Sequence, residues 1–485
     1  MHPETRSDGL TSQYILTGLL NPLSPIPGPW YTRFSSLPSK YHRLRGTKIL
    51  WVDALHRRYG PIVRVDAAQV AIAEPAFWDA VGRVGAGFRK TQFHERMRIG
   101  PEHFLFSMTD AKAHAARRRL FARALTADAL RRNWEARIRG RVEVAVGRIK
   151  QQMEAGDADL VVWWRLMAGD VIALLSFGES FDLLEGAGRG DEYFAALQNA
   201  GINIVLRDLV PFGILDGIAK VLPWKRLRDV VDANRVIADK GTLAVRNLRA
   251  TGLDRPNLFS NMLAEAEKAH EGEKGEDLGL TDDAIRSEVA GFLLAGSDTT
   301  SMALTYAVWA ILRHPDLQRR LERELARLDP AFTDKDLEGL PLLNNVLDEA
   351  LRLYSPGAPG ILRLPPPEGI TWRGYHIPGD TQVLAQQWTL VRDDEMFPDP
   401  ERFDETRFEK PAEGMRRLAQ PWGVGTRSCI GNRLAVMEMR LAVALFFREC
   451  RGARLGEGVT DDSMAPLFRF FMFPKGHTCK VTLRQ

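Results

Sequence analysis

Apolar residues recur every three to four positions through long stretches of this chain, with charged residues on the opposite faces. Arg117–Arg131, Val142–Ala155, Val230–Leu248, Thr281–Leu312 and Leu317–Leu328 all follow this period, which predicts amphipathic helices. Strand-like runs are few and short: Ile62–Val65 with Val70–Ala73, Thr381–Ala385, and Lys480–Leu483. They lie far apart in the chain. The expected fold is therefore mainly α, with a small β portion near 60–75, 360–390 and the C-terminus. His270–Leu280, charged and glycine-bearing, reads as an exposed loop. Phe397–Pro411, rich in prolines and charges without a period, reads as ordered coil.

An uncharged stretch runs from Gly9 to Thr32, but its apolar part is only Tyr14–Leu20, and Pro22, Pro25, Pro27 and Pro29 break the remainder. A spanning helix needs about 20 mostly apolar residues. Residues 1–24 are thus expected to form an arm without a transmembrane helix, either loose or in peripheral contact with a membrane. Residues 25–485 are expected to form one domain.

Composition narrows the class. Of 485 residues, 45% are hydrophobic and 26% charged, as in ordinary globular proteins, which excludes disordered and fibrous readings. The net charge of +4 leaves no footprint for nucleic acid. Cys429, Cys450 and Cys479 are the only cysteines. So sparse and odd a set is no disulfide framework and points to a reducing, intracellular setting.

Cys429 has the most chemically suggestive surroundings. It sits in Pro421-Trp-Gly-Val-Gly-Thr-Arg-Ser-Cys429-Ile-Gly431, just before the apolar run Leu434–Phe447. Glycines allow tight turns and close backbone approach to a ligand. A sulfur at a helix N-terminus faces N–H donors that favour the thiolate, and Arg427 adds a permanent cation. No second cysteine lies nearby, which argues against zinc and iron–sulfur sites. Ser428 stands where a dinucleotide fingerprint needs glycine. A metal-bound thiolate and a buried cysteine in a glycine turn are the readings that remain.

The loop resembles the haem-binding signature of the cytochrome P-450 family, Phe-x-x-Gly-x-Arg-x-Cys-x-Gly, with Trp422, Gly425, Arg427, Cys429 and Gly431 in the defining places. Trp422 replaces the usual phenylalanine. Ala295-Gly296-Ser297-Asp298-Thr299-Thr300 resembles the family's oxygen-activation motif on its central helix. Gly296 costs about 1 kcal/mol of helix propensity, and the expectation is that it makes room for dioxygen and substrate. Thr299 is then the alcohol and Asp298 the acid of a proton relay. Glu349 and Arg352 resemble the family's Glu-x-x-Arg pair, to be completed into a buried triad by Arg407 or, as the alternative, Arg402.

The resemblance covers about residues 25–480 and implies the P-450 fold, with haem b held between the central helix and the cysteine-loop helix. Cys429 would be the axial iron ligand. His114, Arg118, Arg363 and Arg427 are the candidate partners of the haem carboxylates. Some of the remaining cations, with Arg416, Arg417, Arg433 and Arg440, are candidates for a basic face that docks an acidic redox partner. No flavin fingerprint is present, so the reductase would be a separate protein, and the resemblance implies an NADPH-dependent flavoprotein.

The implied activity is a monooxygenase reaction with dioxygen on a largely hydrophobic small molecule, ending in hydroxylation, epoxidation, desaturation or oxidative coupling. The whole-chain style resembles fungal members of secondary metabolism. The implied protein is a monomer, soluble or peripheral on the endoplasmic reticulum membrane. Alternatives are a haem-thiolate isomerase or dehydratase without external electrons, and a non-catalytic haem sensor; neither needs the relay. Substrate contacts are expected from Phe88–Phe106, Ala195–Leu222, Phe292–Thr299, Gly360–Leu362 and Phe468–Phe473, with Gly201–Arg207 and Pro211–Gly213 as a candidate lid.

Overall fold

Each amphipathic period becomes a helix, and the caps account for where the helices start. The computed structural model describes residues 18–186, 192–210, 213–251, 257–259, 262, 281–357, 360–419 and 421–483. Most of the N-terminal arm, the loop 270–280 and residues 211–212 of the candidate lid lie outside the described residues. The central helix spans Asp282–Leu312, and Thr281 caps it by accepting from the Ala284 N–H. The period over Arg117–Arg131 is two helices rather than one, Ala111–Ala122 and Ala127–Asn133. Thr126 accepts from the Ala129 N–H and starts the second afresh. Glu135–Ala155, Lys225–Thr251 and Pro315–Leu325 fill the other predicted stretches. Asn432–Glu449 follows the cysteine loop and ends at Cys450.

One helix carries no period at all. Leu160–Phe177 is apolar on nearly every side, and every residue but Val162 is buried. Among the described residues it is the one helix long and apolar enough to cross a membrane, yet 89% of it lies inside the protein. A helix hydrophobic all round is a core helix when protein surrounds it. It packs along the central helix, and Gly296 marks the approach. A Cβ there would stand 2.7 Å from Ile172 Cγ1. A side chain at position 296 would meet the Leu160–Phe177 helix, so the missing side chain serves helix–helix packing.

The chain divides into two compact units. The first comprises Met1–Phe93, Ala358–Pro400 and Trp422–Ser428. Its sheet has the spatial order Ile62–Asp66, Gln69–Ile72, Gln382–Ala385, Ile361–Arg363. The central pairing is parallel, with Val70 opposite Val383, and the outer pairings are antiparallel. Arg64, fully buried, pins the proline-rich segment to this sheet. Its guanidinium donates to the carbonyls of Leu23, Ser24, Ile26 and Pro29 and to the Thr32 hydroxyl.

The second unit comprises His94–Gly357, Glu401–Pro421 and Cys429–Gln485 and holds the helices named above. The C-terminal strand Lys480–Thr482 lies between Ala158–Asp159 and Arg454–Leu455. It therefore pairs inside the helical unit rather than extending the first sheet.

Candidate active site

The central helix shows where chemistry has access. From Ser287 to Leu312 every residue is buried except Phe292, Ala295, Gly296 and Thr299. That spacing is i, i+3, i+4, i+7, one narrow stripe on one face. The Thr299 hydroxyl donates to the Ala295 carbonyl at 2.7 Å, the back-bond to the preceding turn expected of a mid-helix threonine. Ser297 and Thr305 make the same bond to Leu293 and Ser301, each at 2.8 Å.

Asp298 is not on this stripe. It is fully buried and faces the Leu160–Phe177 helix, where Arg165 Nε donates to its Oδ1 at 2.7 Å. Burial raises its carboxyl above the ordinary value, and the Arg165 charge opposes that rise. Two neighbours in sequence thus occupy different surroundings, because successive helical residues point about 100° apart. Nothing in the local sequence around Trp164-Arg165-Leu166 signals this contact; a charged residue inside a largely apolar helix was the available hint.

The cysteine loop is built on backbone approach. Gly425 has φ +67, and a Cβ there would lie 2.2 Å from the Gly82 carbonyl oxygen. Only glycine fits a left-handed position pressed against another backbone. Gly425–Arg427 forms a short 3-10 turn, Trp422 is half-buried at its approach, and Gly431 caps the following helix. Cys429 is solvent-accessible, but the density of protein around it pushes the thiol up. The Gly431 N–H and the Arg118 guanidinium act in the opposite direction. The helix start thus favours the thiolate as expected, without outweighing burial. A metal cation at the sulfur would supply the missing stabilisation.

The cations separate into distinct roles. Arg117 turns inward and pairs with buried Glu288 at 2.9 Å. Arg118, half-buried on the neighbouring face, interacts with Cys429, and His114 is buried on the same helix. In the other unit, burial and the like charge of Arg427 lower Arg363 to about 10, so Arg363 remains cationic at neutral pH. Two guanidinium groups held near each other suit an anionic partner. Within the helical unit, an accessible sulfur with the half-buried Arg118 beside it fits a prosthetic group that carries a metal and an anionic substituent.

The triad is resolved in favour of Arg407. Arg352 grips Glu349 with two bonds, at 2.7 and 2.8 Å. Arg407 Nε donates to Glu349 Oε1 at 3.2 Å, and the Asp404 N–H donates to the same oxygen at 2.9 Å. Arg402 contributes its backbone carbonyl, which accepts from both arginines, while its side chain is exposed beside Asp404. Two of the candidate basic-face cations have acidic partners. Arg440 is engaged by Asp334 and Asn344, and Arg416 pairs with Asp348.

Several substrate segments do meet. Phe106 lies 5.3 Å from His94 and 6.1 Å, edge-on, from Phe470 of the C-terminal hairpin. Phe292 packs with Phe121 and Phe259. Gly201 lies beside the Phe473 ring. The Gly201–Arg207 part of the candidate lid is the interior of a longer helix, Glu192–Leu209.

An accessible thiol at a helix start, with Arg118 beside it, suits a thiolate-held prosthetic group. The cytochrome P450 family pattern matches residues 25–480, and the chain belongs to that family. Cytochrome P450 monooxygenase stcB of Emericella nidulans is 36% identical over 97% of this chain and 90% of its own length. Cytochrome P450 monooxygenase aflV of Aspergillus parasiticus is 36% identical over 96% and 92%. The crystal structure of the cytochrome P450DA heme domain superposes with a TM-score of 0.78, covering 95% of this chain and 97% of that one at 21% identity. The fold is thus the P450 fold, and the protein is an oxidoreductase of the monooxygenase type.

Proposed function

We propose that this chain is a haem-thiolate monooxygenase that oxidises a largely hydrophobic molecule in a tailoring step of natural-product biosynthesis. The accessible stripe of Phe292, Ala295, Gly296 and Thr299 carries the reading. It offers an apolar ring, a small-residue surface and one hydroxyl in line, which a passive haem binder would not need. When bound, haem b supplies reductive activation of dioxygen, one oxygen atom entering the substrate and the other leaving as water. Cys429 would hold the iron, and Arg118, Arg363, Arg427 and His114 would be the partners for the haem carboxylates. The Thr299 hydroxyl, already donating to Ala295, accepts and passes protons at the stripe, and Asp298 is the acid behind it.

Aromatic residues around Phe106 and Phe470 support a hydrophobic substrate. The stcB and aflV relatives come from fungi, which supports the biosynthetic setting. Electrons come from NADPH through a separate flavoprotein reductase. Peripheral membrane contact is supported by the short helix Ile214–Val221, which exposes Ile214, Ile218 and Val221, with Trp224 just beyond and Lys220 and Lys225 alongside.

The reduced, carbon-monoxide-treated protein is expected to show the red-shifted Soret band of a thiolate haem, and Cys429→Ser to lose it. Substrate-dependent NADPH consumption with a reductase separates a monooxygenase from an electron-independent isomerase. Thr299→Ala is expected to keep the band and divert electrons to hydrogen peroxide; unchanged coupling would remove Thr299 from the relay.

A further inference from the structure

The fully buried carboxylates of the helical unit differ in how they are satisfied. Asp170, Glu288, Asp298 and Glu349 all have no exposure to solvent. Asp170 accepts the Leu183 and Leu184 N–H groups, one on each oxygen. Glu288 accepts Arg117 on Oε1 and the Leu105 N–H on Oε2. Glu349 takes donors on both oxygens from two arginines and a backbone N–H. These three are complete and read as structural. Asp298 is held through Oδ1 alone, by the single Nε of Arg165, and its Oδ2 is buried without a hydrogen-bond partner. Arginine often meets a carboxylate with two parallel bonds, as Arg352 does Glu349. A half-satisfied buried carboxylate is costly, and here it adjoins the residue whose hydroxyl reaches the open stripe.

Arg165 is itself constrained. It is buried, and its guanidinium carbon lies 5.4 Å from the Phe473 ring centroid, a cation–π contact. Asp159, the cap of its own helix, and His477, beyond the C-terminal hairpin, both interact with its charge. The guanidinium is thus held by the hairpin as well as by Asp298.

We propose that Arg165 is a positioning residue for proton supply. It fixes Oδ1 of Asp298, holds the carboxylate ionised at rest and leaves Oδ2 as the free oxygen that takes up and passes on each proton, and Phe473 sets the approach that disfavours a two-pronged clasp. This rests on the reading of Asp298 as the acid behind Thr299. Glu438 is the contrasting case: its Oε2 is also unpartnered, but burial alone raises its carboxyl and no cation opposes that rise.

The test combines carboxyl infrared difference spectra of the resting protein with the partition of NADPH electrons between product and hydrogen peroxide. Arg165→Met is expected to produce a protonated-carboxyl band that disappears in the Arg165→Met, Asp298→Asn double variant. Its share of electrons lost to peroxide is expected to rise roughly tenfold. Arg165→Lys, which keeps the charge, is expected to show no new band and to recover most of the coupling. Phe473→Leu is expected to shift the partition in the same direction while preserving the fold, and it serves alone if Arg165→Met does not fold.

A folded Arg165→Met protein with no new carboxyl band, or Phe473→Leu with wild-type coupling, overturns the proposal. The underlying relay fails differently. In that case Asp298→Asn alone would leave coupling unchanged, whatever the infrared spectra of the Arg165 variants show.

Discussion

Ile172 occupies the space in which a side chain at position 296 would sit: a Cβ on Gly296 would stand 2.7 Å from Ile172 Cγ1 and 2.9 Å from its Cβ. Both residues lie on buried helices that cross at this point, so neither backbone is free to yield cheaply. Gly296→Ala therefore sets a helix-propensity gain of about 1 kcal/mol against an overpacking cost of about 1–3 kcal/mol. The expected result is a lower denaturation midpoint, restored by adding Ile172→Val. A more stable single variant would show that the packing reading is wrong.

Glu349 answers two buried arginines, Arg352 and Arg407. Glu349→Ala leaves both charges without their carboxylate, at a cost of about 3–5 kcal/mol. Denaturant unfolding should register that loss, together with poor haem incorporation. Arg402→Ala, which removes only an exposed side chain, should unfold like the parent, because the Arg402 carbonyl in the network remains.

Burial pushes the Glu438 carboxyl well above its ordinary value of 4.5, with no opposing charge. The folded state then keeps a proton that the unfolded chain releases once the pH exceeds that ordinary value. By linkage, folding stability falls as pH rises from there through the folded pKa. Glu438→Gln mimics the protonated form, so it should flatten that slope and be more stable than the parent at neutral pH. Equal slopes in the two proteins would contradict this.

The three thiols should react in a fixed order. Cys450 and Cys479 are buried, and burial raises Cys450 to about 12 from 9.0 and Cys479 further still. The thiolate fraction of Cys450 is then about a thousandfold smaller than that of an ordinary thiol. A maleimide added to native protein stripped of haem should label Cys429 first. Haem loading should protect Cys429, leaving all three unlabelled until denaturation. Early labelling of Cys450 would contradict its placement.

Much of the fold was legible because helical periods are local. The stretch 281–312 carried its own cap in Thr281 and its own apolar face. The Leu160–Phe177 helix was not legible, since a segment buried on every side has no polar face to mark its period. The split of Arg117–Arg131 turned on a single cap, Thr126, set inside a run that otherwise kept the period.

The cysteine loop, the central-helix motif and the Glu349–Arg352 pair were set by the order of residues, because each is a short spacing that survives whatever surrounds it. Which charges meet was settled only by the tertiary structure. Arg165 and Asp298 are 133 positions apart, and Arg407 prevailed over Arg402 because the backbone turn at Asp404 aims one side chain inward and the other out. A buried carboxylate is governed by the donors that packing brings to each of its oxygens, and those donors come from segments that no local pattern links.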